Sequence, residues 1–447
     1  MNVWREMVDS VPTHPGGEEP NNVVLVSIDS LRADHCGYFG SEYNLTPTLD
    51  AMAAEGVAFE NAVAPGPQTF SSMPVAFTGQ HRLPEPDDDT GGSGWQRRLG
   101  LIDRHLDRHP TLPERLRARG YTTAAVTPNP WTSEAAGFDR GFDYFRDRSG
   151  TDDAGRLERI VDAIPGVDGN DRRTELLLNM STGRSFFNRW ESLYEDISHL
   201  RDRLREPYFL WVFLLDTHFP FITGRRHRSE QSLPGMYLSN YRGEAAMRGN
   251  ASTMSPTVRE SLERSYRDTV RAADAFLERL WRDFADDDPA VIVHSDHGES
   301  FGEHGNYGHH HRDLYEENIH IPYVVANAGR TSRVRAPTTL ASLPELALDV
   351  ATGGAVDPQS VTSPTVVSTS VSGNAGAVRQ RRFKYVRDGD EQLFDLERDP
   401  QELTDISRQS PEQIAECREA LDRRERHLTE VSRLYDATET LNCPTQL

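Results

Sequence analysis

The stretch Ala290-Val-Ile-Val-His-Ser-Asp-His-Gly-Glu-Ser-Phe-Gly-Glu-His-Gly-Asn-Tyr-Gly-His-His-His311 decides the fold. Its apolar, β-branched opening (Val291, Ile292, Val293) reads as a buried parallel strand. The strand delivers Asp296 and His297 at its C-terminal end, where open α/β sheets place ligands. Gly298 lets the backbone turn away. An Asp-His pair alone reads equally well as the polar loop after a buried strand. Glu299, Glu303, His304, His309, His310 and His311 tip the reading toward a site.

Working outward, the same grammar repeats. Residues 22–28 form an apolar strand ending at Asp29. Residues 121–127 end in Pro128-Asn129-Pro130-Trp131, and residues 208–215 end in Asp216-Thr217-His218. Residues 321–326 are a further strand. Helices are predicted at 47–55, opened by Thr46-Pro47, and at 71–77, 110–119 and 258–284. Strands alternating with helices predict an α/β fold with a mostly parallel sheet flanked by helices on both faces. Strands at 365–370 and 382–387, a hairpin partner at 391–396 and a helix at 411–427 predict a small C-terminal α+β subdomain. The expected division is a leader at 1–20, a catalytic domain at 21–335 and a C-terminal subdomain at 336–447. Within the catalytic domain, 150–205 reads as a helical insertion, with Leu157, Ile160 and Ile164 on one face. Residues 83–94 and 225–255 read as loops.

Bulk composition narrows the function. The 447 residues carry 70 acidic and 49 basic side chains, net -21. Lys384 is the only lysine. Such a surface suits a protein kept in solution at high salt, where charge repulsion is screened, and a halophilic, archaeal source is expected. No basic stripe is present to neutralise phosphates, so nucleic acid is excluded as a partner. Cys36, Cys417 and Cys443 are odd in number and not at metal spacing, so free thiols are expected. No stretch approaches a membrane span, and no export signal is legible, so a cytoplasmic location is expected.

Three strand ends carry acids or histidines: Asp29, Asp216/His218 and Asp296/His297. Convergence of two carboxylates and an imidazole suits one divalent cation, Mn²⁺, Mg²⁺, Zn²⁺ or Ca²⁺. Without a cation, two carboxylates in one cleft would repel and one would hold a proton. Thr69, in Pro65-Gly-Pro-Gln-Thr-Phe-Ser-Ser72, precedes a short helix and is the candidate nucleophile. A threonine there also reads as an ordinary N-cap.

Several segments, taken in order, resemble the sulfatase family of the alkaline phosphatase superfamily. Asn22-Val-Val-Leu-Val-Ser-Ile-Asp-Ser-Leu-Arg-Ala-Asp34 is similar to its first metal motif. Leu45-Thr-Pro-Thr-Leu-Asp50 resembles the helix after it. The segment 68–79, ending in Thr78-Gly79, resembles its nucleophile helix. Asp216-Thr-His-Phe-Pro-Phe221 resembles its substrate-histidine motif, and Ser295-Asp-His-Gly-Glu299 its second metal motif. Phe383-Lys-Tyr385 and Leu393-Phe-Asp-Leu-Glu-Arg-Asp-Pro400 resemble its final hairpin. The resemblance implies an alkaline-phosphatase-like fold and a metal-dependent ester hydrolase.

The departures redirect the chemistry. Sulfatases use a Cys or Ser converted to formylglycine within Cys/Ser-x-Pro-x-Arg. Here the aligned residues are Thr69, Phe70, Ser71, Ser72 and Met73. Paired aspartates become Asp29-Ser30, and Asp-Asn becomes Asp296-His297. The pattern resembles the threonine-nucleophile branches, phosphodiesterases and phosphoglycerol or phosphoethanolamine transferases. It implies a metal site of Asp29, Thr69, Asp296 and His297, which an imidazole in place of an amide shifts toward Mn²⁺ or Zn²⁺. It implies catalytic roles for Thr69, His218 and His310 or His311, with Asn129 and Asp216 as substrate contacts. The expected reaction is hydrolysis of a phosphate or sulfate ester of a small molecule or glycan. A phospho-alcohol transferase and a non-catalytic binding protein on the same fold are the alternatives.

Overall fold

β1 (Val23–Ile28) runs through the centre of the molecule, and all of its residues are buried. The computed structural model describes residues 20–83, 94–150, 189–249, 253–370 and 372–442. Residues 1–19 of the expected leader, most of the 83–94 loop, residues 151–188 of the expected insertion and Cys443 lie outside the described residues.

Seven more strands join β1: β2 (Val57–Phe59), β3 (Thr122–Thr127), β4 (Tyr144–Asp147), β5 (Tyr208–Leu214), β6 (Ala290–Ser295), β7 (Tyr323–Ala326) and β8 (Ser332–Val334). Their order across the sheet is β8-β2-β7-β6-β1-β5-β3-β4. Every neighbouring pair is parallel except those made by β7, which runs against β6 and β2. Ile28 is level with Leu214 on one side and with Ser295 on the other. The C-terminal ends of β1, β5 and β6 therefore finish together.

The period of two along each strand sorts side chains into two layers. Val23, Leu25, Phe209, Trp211, Phe213, Ala290 and Ile292 enter one layer. That layer is completed by α2 (Thr69–Thr78), α3 (Gly94–Arg108), α4 (Leu112–Arg117) and, further along the chain, the helix Leu343–Ala351. Val24, Val26, Ile28, Leu210, Val212, Val291 and Val293 enter the other. There they meet α1 (Pro47–Glu55), α5 (Trp190–Arg201), α6 (Leu233–Met247) and α7 (Pro256–Asp283). The strand run reads as continuously apolar because both faces are covered. Each large apolar side chain so buried contributes about 1.5–3 kcal/mol.

One segment expected as a loop contains a helix. α6 lies inside 225–255, opened by Ser232, whose hydroxyl accepts from the Gly235 N–H. Its buried side is not apolar throughout. Asn240 is fully buried, and its amide accepts from the Phe221 N–H and donates to the Phe221 carbonyl. That polar core residue hides the helical period. α3 buries Leu101, Ile102, His105 and Leu106 on one face, with Thr78 Oγ1 2.9 Å from His105 Nε2.

The C-terminal subdomain is a four-stranded antiparallel sheet of β9 (Thr365–Thr369), β10 (Gly376–Gln380), β11 (Phe383–Asp388) and β12 (Asp390–Asp395). The helix Pro411–Asn442, longer than expected, packs on it through Ile414, Cys417 and Leu421. β10 escaped the sequence reading because it opens on small residues. At Gly376 a Cβ would lie 2.8 Å from Leu421, so the helix needs glycine there. Segment 338–351 was expected with this subdomain, yet it packs on the main sheet through Leu340, Leu343, Leu346 and Ala347. Cys36 and Cys417 are free and buried. Among the described residues, no helix is long and apolar enough to cross a membrane.

Candidate active site

Asp29 and Asp296 follow level residues of adjacent parallel strands, so both carboxylates emerge on one face. Both are fully buried, as is His297. One ligand atom from each of Asp29, Asp296 and His297 falls within 4.8 Å of the others. His297 Nε2 is 3.5 Å from Asp29 Oδ1 and 3.6 Å from Asp296 Oδ2. His297 Nδ1 donates to the Gly298 carbonyl at 2.8 Å, which leaves Nε2 with its lone pair facing the carboxylates. Burial, with His309 beside it, lowers the His297 pKa to about 4, so the ring is neutral.

The carboxylates carry the opposite strain. Burial and the neighbouring Asp296 raise Asp29 to about 7, and burial raises Asp296 to about 7. Asp296 Oδ2 is buried without a hydrogen-bond partner. Two crowded carboxylates, an orphaned oxygen and a neutral imidazole with an available lone pair fit a divalent cation. The residues that would hold it are Asp29, Asp296 and His297, with the Thr69 hydroxyl beside them.

Thr69 is the first residue of α2, and Gln68 occupies the N-cap. The Thr69 hydroxyl is therefore not spent on capping. Its Oγ1 lies 3.4 Å from Asp29 Oδ2 and 3.4 Å from His297 Nε2. A helix N-terminus favours an anion beside it, and Thr69 stands at that end of α2. Pro74 inside α2 lacks an N–H for the Phe70 carbonyl. Arg82 Nη1 donates to that carbonyl instead, at 2.8 Å, with its guanidinium 4.1 Å from the Phe70 ring.

Asn129 joins the group from the end of β3. Its Oδ1 accepts from the Trp131 N–H at 2.8 Å, which fixes the amide's orientation. Its Nδ2 donates to Asp29 Oδ2 at 2.8 Å and lies 3.5 Å from Thr69 Oγ1. Ser30, in place of a second acid, sits in the left-handed region at φ 59. There its hydroxyl donates to Asp29 Oδ1 at 2.9 Å and its N–H donates to Asp296 Oδ1 at 3.3 Å. Tyr266 secures the bend by donating to the Ser30 carbonyl at 2.7 Å. Arg32 and Asp34 form a two-point ion pair, 2.9 and 2.7 Å.

The histidines divide by position. His309 brings its ring 4.6 Å from His297 and 5.1 Å from His218. Its Nδ1 pairs with Glu299 Oε1 at 3.0 Å. Burial works against the charge, but Glu299 raises His309 to about 9, so the ring is a cation. His310 turns toward Gly249, whose added Cβ would meet its ring at 2.6 Å, and its N–H donates to Asp313 at 3.4 Å. His311 is exposed. The sequence reading gave catalytic roles to His310 or His311 and none to His309; three consecutive histidines carry no periodicity to choose between them. His218 Nδ1 pairs with its neighbour Phe219's carbonyl at 2.6 Å. Asp216 is one residue past the level of Asp29, so the pleat sends it into the opposite layer. There Oδ1 accepts from the Trp190 N–H at 3.5 Å, and burial with Glu191 nearby raises it to about 7.

Gly298 serves close approach rather than a turn. An added Cβ would sit 2.0 Å from the Glu317 carbonyl oxygen. The Gly298 and Glu299 N–H groups donate to the Asn318 and Glu317 carbonyls at 2.8 and 2.9 Å.

Comparison with known proteins places this geometry. A sulfatase family model matches residues 21–353. The multifunctional alkaline phosphatase superfamily protein PehA of Trinickia caryophylli is 24% identical over 382 residues, 69% of this chain and 68% of that protein. A solved 2-O GAG sulfatase superposes with a TM-score of 0.62 at 17% identity, covering 93% of this chain and 94% of its own. The phosphonate monoester hydrolase of Agrobacterium radiobacter superposes with a TM-score of 0.60 at 17% identity, covering 92% and 95%. A fold shared along almost the whole chain, and a family model that spans the sheet and its strand-end acids, lead to one conclusion: the chain belongs to the sulfatase family of the alkaline phosphatase superfamily.

Proposed function

We propose that the protein is a metal-dependent hydrolase that cleaves a phosphate ester, on a small molecule or glycan, through Thr69. The observation that carries this reading is the Thr69 hydroxyl, 3.4 Å from both Asp29 and His297 at the first turn of a helix. A threonine cannot yield the formylglycine aldehyde on which sulfate-ester chemistry in the family rests, which favours phosphate over sulfate. Similarity to a multifunctional alkaline phosphatase superfamily protein and to a phosphonate monoester hydrolase is consistent with that choice. A bound Mn²⁺ or Zn²⁺ would supply Lewis-acid polarisation of a non-bridging oxygen and ease loss of the Thr69 proton.

The protein's own groups then divide the work. Thr69 gives up its hydroxyl proton to solvent, its Oγ1 bonds to phosphorus as the bond from phosphorus to the alcohol oxygen breaks, and the departing alkoxide takes up a proton from solvent through His218 Nε2. The helix start and the His309 cation hold the non-bridging oxygens. Asn129 holds Asp29 and approaches Thr69 Oγ1, fixing the nucleophile's position. His218, its Nδ1 tied to Phe219, directs Nε2 to the leaving oxygen and then to the attacking water. Water releases phosphate and restores the Thr69 hydroxyl.

The test is a panel of chromogenic phosphodiester, phosphomonoester and sulfate ester substrates at high salt with Mn²⁺ or Zn²⁺. Phosphoester turnover that Thr69→Ala removes, with Mn²⁺ binding retained, is the expected result. Sulfate ester turnover alone, or undiminished activity in Thr69→Ala, would overturn the assignment.

A further inference from the structure

The only lysine in the chain is fully buried, far in sequence from every site residue. Lys384, on β11 of the C-terminal sheet, places Nζ 2.9 Å from Glu402 Oε1 and 3.2 Å from Glu316 Oε1. Both carboxylates are themselves buried or nearly so, with side-chain exposures of 0% and 12%. Arg379 of β10 reaches the other Glu316 oxygen at 3.3 Å. Glu402 Oε2 accepts the Glu316 N–H at 2.6 Å. Two cations and two carboxylates thus close a charge-balanced knot with little access to water.

The knot grips a particular piece of chain. Glu316 begins the one-turn helix Glu316–Ile319. The next two carbonyls, Glu317 and Asn318, accept the N–H groups of Glu299 and Gly298. Those two residues follow the site ligand His297, and Glu299 holds His309. The Asn318 amide adds a bond to Ser300 Oγ at 2.6 Å. The Glu317 carbonyl sits so close to Gly298 that no side chain fits between them. A shift of Glu316 would therefore be transmitted to His297 and Glu299 through two hydrogen bonds and a steric contact.

We propose that Lys384 is a positioning residue that sets the backbone of 297–299, and with it the ligand His297 and the Glu299–His309 pair, from the C-terminal subdomain. This rests on the reading of those residues as the site. Removing the ammonium leaves two facing buried carboxylates, which separate or take up a proton, and Glu316 loses its seat.

The experiment compares the full chain, Lys384→Met and the double variant Lys384→Met/Glu402→Gln. The double variant removes the excess charge while a Gln oxygen can still accept the Glu316 N–H. Each is measured for Mn²⁺ affinity by electron paramagnetic resonance titration, for thermal midpoint, and for amide exchange in peptides covering 296–304 against peptides from β1 and β5. Lys384→Met is expected to weaken Mn²⁺ about tenfold or more and to speed exchange at 298–299 selectively, and the double variant to recover most of both. Mn²⁺ affinity and 298–299 exchange at the parent's level, with only the thermal midpoint lowered, would reduce Lys384 to a structural pair and overturn the proposal. If Lys384→Met does not fold, Glu402→Gln is measured in its place, with the same selective exchange expected and its absence decisive. A parent that binds no Mn²⁺ would overturn the functional reading, while the exchange measurement still decides the role of Lys384.

Discussion

His309 Nδ1 lies 3.0 Å from Glu299 Oε1, a side chain with no solvent exposure. The second Glu299 oxygen is buried and has no hydrogen-bond partner. The carboxylate is thus committed to the imidazolium, which in turn faces His297 and His218. Glu299→Gln keeps the shape and deletes the charge. Turnover is expected to fall about 10- to 100-fold, the range typical of partners that orient site groups. Steady-state kinetics on the best phosphoester of the panel checks it, and an unchanged kcat would remove His309 from the mechanism.

Cation binding should release protons. Asp29 and Asp296 both sit at about 7 because burial disfavours their charged forms and, for Asp29, Asp296 adds repulsion. A divalent ion must displace any proton they hold. Mn²⁺ affinity is expected to drop as pH falls below about 7, tenfold per unit for each proton displaced. Calorimetry in buffers of different ionisation enthalpy measures the protons released at pH 6. A heat independent of buffer would contradict the coupling.

Ser30 occupies the place of a second acid. Its left-handed backbone, held by Tyr266, aims its side chain at Asp29. Aspartate tolerates that backbone conformation better than most residues. Ser30→Asp is therefore expected to fold and to add a third carboxylate beside the site. Harder oxygen donors move preference toward Mg²⁺ and Ca²⁺. Competition of Ca²⁺ against Mn²⁺ in parent and variant reports the change, and an unaltered ratio would place Ser30 outside the coordination sphere.

His294 gives a stability signature. It is fully buried between Ser27 Oγ at 2.9 Å and the Ser295 carbonyl at 2.9 Å, and burial lowers it to about 4. Between about pH 4 and the ordinary histidine value of 6.5, the unfolded chain binds a proton that the folded chain refuses. Its contribution is complete above 6.5 and is lost as pH falls toward 4. A shift of that size is worth on the order of 3 kcal/mol. Relative to His294→Gln, the parent should lose stability over this window in urea melts. A pH-independent difference would show that His294 titrates normally.

The sequence by itself determined the elements that packing and pleat impose locally. Residues 22–28 and the run Val291–Val293 read as strands because both faces of a central parallel strand are covered and must be largely apolar. Asp29, Asp296 and His297 were legible as candidates because they are metal-type ligands standing just past the ends of such runs. Thr69 was legible only as a candidate nucleophile, from its place before a helix and through the resemblance to the family.

Tertiary structure decided which polar groups share a space. Asp216 and His218 follow the same strand, yet Asp216 keeps the parity of Leu214 and faces the α5 layer, while the turn closed by the His218 N–H on the Leu215 carbonyl brings the His218 ring near His309. Nothing in His309-His310-His311 distinguishes its members; only the reach of the loop to Glu299 selects the first. α6 stayed hidden because Asn240 satisfies its buried amide on Phe221, a partner 19 positions away. Lys384 was visible as a solitary lysine, but its partners Glu316 and Glu402 come from separate elements. Local periodicity records what each element buries. Which charge meets which is set by register, crossover and loop closure, and those exist only in the folded chain.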